Sequence, residues 1–314
     1  MFAHCSLWAY FFLLFGATAL LTQDTPKAGT FMCTGGTIYF VAHPVDSLLF
    51  QNPDLFHDLY VLKCVTTVVF TAGDRNMIGN FTLSLERGLE EAHAWMAGLS
   101  PPVPARKEAT IQIGNYRVPL YSLNTMPNIQ MLYLRLPDGA PTGRGYDTNG
   151  GESLKKLYNM EIKRITAIDG TATYRLKDLM DLIATVLHKR QPNDVRVLNY
   201  KGLSSDDNAD SSDHADHVVS AKIVMDVIER ERLNVKVQAY AGNFMRKLEA
   251  NLIPSHPDME KKTGAFFKYA EYDEHMCQSI EECEERLKEG NNEVFLDEDV
   301  KYAAQYLERE YYVS

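Results

Sequence analysis

The 314-residue chain has no long basic run, and no apolar run reaches the ~20 residues that a membrane-spanning helix needs. The first absence sets aside a nucleic-acid surface. Neutralising phosphates takes clustered Lys and Arg, whereas this chain carries 32 of them against 42 Asp and Glu, a net charge of −10. Internal repeats are missing as well, and no shift in composition marks a second domain. Lys and Arg are also absent from the first residues, where only the amino terminus and His4 precede an apolar run of signal-peptide length, Leu7 to Leu21. With the small-x-small pattern Ala17-Thr18-Ala19, residues 1–19 read as an export signal and residues 20–314 as the folded domain. The expected location is the secretory pathway, extracellular or in the ER lumen. The alternative is an uncleaved anchor in the ER membrane, which is the one route to membrane contact.

Cysteine is sparse, at five. Without Cys5, an even set remains in an oxidising compartment: Cys33, Cys64, Cys277 and Cys283. Three pairings are possible, beside four buried free thiols. The favoured one closes a local loop within CQSIEEC and joins Cys33 to Cys64, each just before an expected strand, if those strands pair. Asn80-Phe81-Thr82 is a glycosylation sequon, usable at Asn80 on a lumenal surface.

What is present is an alternation of strands and helices. Thr37 to Val41 is a β-branched and aromatic run that ends in Ala42-His43-Pro44-Val45-Asp46, delivering His43 and Asp46 into a loop. Lys63 to Thr71 is a second apolar strand, closed by Ala72-Gly73-Asp74. Helical periodicity follows over Ser84–Leu99, then strand-like runs at 110–113, 116–121 and 129–136 after the proline-rich connection 101–107. Pro137-Asp138-Gly139 opens a long glycine-studded loop, of a kind that is commonly functional. An amphipathic helix over Leu176–Leu187, a strand over Val195–Tyr200, a polar stretch at 202–212, a helix from about Val218 to Arg232, and a charged helical tail complete the chain. Helical segments are expected in that tail over Lys268–His275 and Val300–Tyr312. Near-continuous apolar strands alternating with helices imply an α/β fold with a mostly parallel sheet flanked by helices, in one domain.

Ligands in such sheets bind outside the carboxyl ends of the strands, where His43 and Asp46 lie. His214-Ala215-Asp216-His217 enters a later helix directly after a strand and an acidic loop. Histidines three apart can face the same way at a helix start, though solvated loop histidines are the blander reading. Combined with His43 and Asp46, they offer a His-Asp-His set with a position left for water, the ligand count of a catalytic zinc site.

These segments resemble the phosphatidylinositol-glycan class L (PIG-L) de-N-acetylases, whose signatures are AHPDD(E) and HPDH. The resemblance rests on AHPVD, TAGD and HADH, with LRLPDG, ESLKKL, IDGTATY, FFKYAEYD and the terminal REYY in the order of secreted members. It implies a Rossmann-like fold and a zinc-dependent hydrolase that removes the N-acetyl group from an N-acetylglucosamine-containing glycan or glycolipid. By position, His43, Asp46 and His217 are the implied Zn2+ ligands. His214 is the residue that stabilises the oxyanion or protonates the leaving amine, and Asp216 orients or charges it. Asp138 and Asp74 are weaker candidates, for lining the sugar site and for supplying another acid.

The departures from the pattern are pointed. The position of the family's general base holds Val45, and losing such a base costs ~100- to 10,000-fold. The arginine of the family's arginine-glutamate pair is Leu85 here, beside Glu86; Arg87 is about 200° around a helix from it. A relative that binds zinc and sugar without efficient hydrolysis is therefore the alternative function, and an α/β fold with incidental histidines a third.

Overall fold

Chain order begins with a short edge strand, β1 (Lys27–Gly29), before the buried β2 (Thr37–Val41). The computed structural model describes residues 27–61, 63–99, 109–202, 213–288 and 298–313. The export-signal segment, the connection at 101–107 and the polar stretch after Gly202 lie outside these residues.

Two short helices follow β2: α1 (Asp46–Leu49) and α2 (Asp54–Tyr60). β3 (Val65–Thr71) is buried along its whole length, and α3 (Phe81–Met96) returns across the sheet. Next come β4 (Ala109–Ile113), β5 (Tyr116–Ser122) and β6 (Ile129–Leu136). The long loop carries α4 (Leu154–Tyr158) and a two-residue ladder, β7 (Ile165–Thr166) with β8 (Thr173–Tyr174). The second half runs α5 (Leu176–Arg190), β9 (Asp194–Val197), α6 (Ala215–Arg230) and β10 (Lys236–Tyr240). α7 (Pro257–Ala270), α8 (Ile280–Lys288), α9 (Glu298–Leu307) and β11 (Tyr312–Val313) end the chain.

Among the described residues the main sheet has nine strands, ordered β1-β4-β5-β6-β3-β2-β9-β10-β11. The run β6-β3-β2-β9-β10 is parallel throughout, with antiparallel pairs confined to β4-β5, β5-β6 and β10-β11. Counted in chain order, those five parallel strands stand 3-2-1-4-5, a doubly wound arrangement whose order reverses between β2 and β9. A single-domain α/β fold with a mostly parallel sheet results, and its ligand crevice is due where β2 and β9 end.

Local chemistry accounts for several departures from the sequence reading. α6 starts at Ala215 rather than near Val218, because the His214 side chain caps it, Nδ1 accepting the Asp216 N–H at 3.2 Å. α7 covers Pro257–Ala270 rather than 268–275, with His256 as its cap and Pro257 in its first turn. The tail helix stops at Leu307, and Tyr312 pairs with Tyr240 as an edge strand. Strands β1 and β10 have no sequence counterpart above.

Cys33 is bonded to Cys64, at a Cα separation of 5.9 Å, and Cys277 to Cys283, at 5.1 Å. The first bond joins the segments leading into adjacent strands β2 and β3. Asn80 is exposed at the start of α3. No described helix is long and apolar enough to cross a membrane.

Candidate metal centre

The chain leaves β2 through Pro44 and at once starts α1 at Asp46, so His43 and Asp46 belong to a single turn. The Asp46 carboxylate closes that turn: Oδ2 accepts the His43 backbone N–H at 2.7 Å. Oδ1 is thereby turned to the other side, 3.3 Å from His43 Nδ1 and 3.3 Å from His217 Nε2. His217 arrives on the first turn of α6, and its Nε2 stands 3.2 Å from His43 Nδ1.

Three donor atoms thus form a nearly equilateral triangle, on residues that are all buried. A tetrahedral ion with bonds of ~2.0–2.1 Å has donor-to-donor edges of ~3.3–3.4 Å, so the triangle matches one face of a zinc coordination sphere. The electrostatics agree with a cation. Burial lowers both imidazoles, but the carboxylates around them together outweigh it, Asp46 with Asp216 and Asp138 at His43 and Asp46 with Asp213 at His217, and hold both rings well above the ordinary histidine value. Asp46 is held well below the carboxylate range, its burial outweighed by the same two rings.

Behind His217 sits Asp213, whose Oδ1 takes the ring's Nδ1–H at 2.9 Å. That bond leaves the Nε2 lone pair facing the triangle, the usual support for a metal-binding imidazole. Asp213 Oδ1 also accepts the backbone N–H of His214 at 2.8 Å and of Asn243 at 3.0 Å, which ties the start of α6 to the end of β10.

A second group of polar side chains faces the triangle from β6 and the capped end of α6. His43 Nε2 lies 3.6 Å from Asp216 Oδ2 and 3.9 Å from Asp138 Oδ2, and His214 Nε2 lies 3.9 Å from Asp138 Oδ1. His43 Nε2 and Asp216 Oδ1 are buried without a hydrogen-bond partner. Asp216 stands 4.0 Å from His214 Nδ1, farther than from His43; the lone pair on that nitrogen takes the Asp216 backbone N–H instead. His214 therefore presents Nε2–H to the crevice, and burial followed by the charge on His43 lowers its pKa. The Gly139 N–H donates to Asp216 Oδ2 at 2.7 Å, an approach so close that a Cβ at Gly139 would stand 2.6 Å from Oδ1.

Asp74 supports this wall from behind. Its Oδ1 accepts the Asp138 N–H and its Oδ2 the Asn149 side-chain amide, each at 2.8 Å. Burial, joined by the charge of Asp138, pushes its carboxyl up to about 6.

Val45 is fully buried in the core, one residue before Asp46. Glu86 is also accounted for: Arg135 grips it with two bonds, at 2.6 and 2.8 Å, and holds Asp169 at 2.9 Å with its remaining arm. Arg87 pairs with Glu91 on its own helix. The guanidinium that borders the cleft is Arg75, at positive φ just after the TAGD segment, with Nη1 2.9 Å from Asp273.

Sequence reasoning passed over Arg75, Asp213 and Asp299. Asp213 was open to discovery, being four residues before His217 and hence one helical turn away. Asp299 was not, because it comes from the charged tail; its carboxylate oxygen, the Asp46 oxygen and the ring nitrogens of His43 and His217 all lie within 4.8 Å of one another.

No family model matches the chain, and no curated protein does. Among solved structures, a conserved protein from Thermus thermophilus is similar over 76% of this chain and 79% of its own, at 13% identity and a TM-score of 0.39. N,N'-diacetylchitobiose deacetylase from Pyrococcus horikoshii, solved with an inhibitor, is similar over 76% of this chain and 70% of its own, at 13% identity and a TM-score of 0.41.

Proposed function

We propose that this chain is a zinc-dependent hydrolase of the PIG-L type that removes the N-acetyl group from an N-acetylglucosamine-containing glycan or glycolipid. The observation that carries the reading is the donor triangle of His43, Asp46 and His217, with edges of 3.2–3.3 Å at the topological switch point. Zinc bound there supplies a Lewis acid and a water of pKa ~7.

The residues around it divide the remaining work. Asp213 fixes the tautomer of His217, and the Asp46 turn fixes His43. His214, with Nδ1 engaged by the Asp216 N–H, offers Nε2–H to the oxygen of the amide carbonyl, where negative charge grows as the carbon becomes tetrahedral. Asp216 and Asp138 flank the outer nitrogen of His43, at 3.6 and 3.9 Å, and set negative charge beside that ring. Arg75 borders the cleft as a donor for sugar hydroxyls or a phosphate. Secretion is part of the proposal, supported by the two disulfides, which persist in oxidising compartments.

Metal analysis of protein purified from zinc-supplied cells tests the reading. About one zinc per chain is expected, as a three-ligand site with an open position requires, and His217→Ala should abolish it. Amine release from an N-acetylglucosamine oligomer should require that zinc. Metal-free wild-type protein would overturn the proposal.

A further inference from the structure

Val45 leaves a chemical gap in the proposed site, since it has no group to take a proton from water. We propose that Asp299, at the start of α9, supplies that missing carboxylate from the other end of the chain. This rests on the metal-centre reading but concerns a residue outside every motif that led to it.

Three observations place Asp299 there. Its donor oxygen shares a space no wider than 4.8 Å with the donors of His43, Asp46 and His217. It is only 6% exposed, and with its neighbour Glu298 it borders the same cleft as His43 and His214, so it meets the site from the side open to substrate. α9 is seated against the site: Tyr306 packs edge-on to Phe50 at 5.1 Å, and Phe50 packs on the His217 ring at 5.3 Å.

Charge points the same way. Two neutral imidazoles and one carboxylate would leave one positive charge of a divalent ion unmatched among its own ligands, and Asp299 would help offset it from within 4.8 Å, alongside Asp213 behind His217. In the hydrolysis, Asp299 takes one proton from the attacking water as the water oxygen bonds to the amide carbon. When the carbon–nitrogen bond breaks, that proton leaves on the nitrogen, so amide and water become amine and acetic acid.

Asp299→Asn tests this, with zinc content, turnover, and calorimetric binding of acetohydroxamic acid, which gives up a proton to a base as it binds zinc. The variant is expected to keep its zinc, to lose about 100-fold or more in kcat, and to bind the hydroxamate about tenfold more weakly. Val45→Asp in the Asp299→Asn background should restore both; a melting curve shows whether that double variant is folded, and if it is not, Asp299→Asn alone decides. Unchanged hydroxamate binding and turnover in Asp299→Asn overturn the inference. So does a loss of zinc without loss of turnover per bound zinc, or a sharp gain from Val45→Asp in the otherwise unaltered chain. Wild-type protein without zinc would instead remove the reading beneath it.

Discussion

Asp213 and Asp74 do their work one step away from the metal triangle. Asp213 holds the back of His217, and partners of this kind typically contribute 10- to 100-fold in metal affinity. Asp213→Asn should therefore weaken zinc by roughly that factor, read by competition with a chromophoric chelator, while Asp213→Glu recovers part of it. Asp74 makes a prediction about pH. Its folded pKa, about 6, lies above the ordinary aspartate value of 3.8, so the folded state holds the proton more tightly than the unfolded one. Its ionisation thus costs stability as pH rises from about 4 to about 6, by up to about 3 kcal/mol. Relative to Asp74→Asn, the wild type should lose stability across that window, as measured by urea unfolding at successive pH values. A difference that stays flat with pH would contradict it.

Short elements set the geometry of the site. α1 is a single turn whose first residue is a donor, and α6 is aimed by a cap and by Asp213. Phe50, directly after α1, is fully buried between the His217 ring and Tyr306 of α9. Phe50→Ala should cost about 3–5 kcal/mol, as large-to-small core changes do. It should also loosen zinc, because the ring is the packing between α9 and α6; calorimetric unfolding with and without zinc separates the two effects.

Over the whole molecule, the two disulfides differ in reach, with sequence separations of 31 and 6. Loop-closure entropy gives about 4 kcal/mol for the longer and about 2 kcal/mol for the shorter. Replacing Cys33 and Cys64 by Ser should therefore lower the melting temperature more than replacing Cys277 and Cys283. The longer bond ties β2 to β3, the strands that end in His43 and Asp74.

The sequence by itself determined what is local. The β-branched runs that become β2 and β3 are legible because fully buried parallel strands need apolar residues on both faces, and the amphipathic α5 because a helix covering a sheet buries one stripe. His43, Asp46, His214 and His217 stand within two short motifs whose spacing is set by one turn of chain each. Tertiary structure alone decided which distant carboxylates join Asp213 and Asp216 around them. β10 and β11 have sequences without a strong period, and their pairing is fixed by the edge they cover. Arg135, on strand β6, reaches Glu86 on helix α3. Asp299 reaches the donor triangle across more than 250 residues from His43 because α9 packs on α1. Such contacts leave no mark at either end of the chain: a carboxylate at a helix start reads as an ordinary solvated cap until folding brings it beside His43, Asp46 and His217.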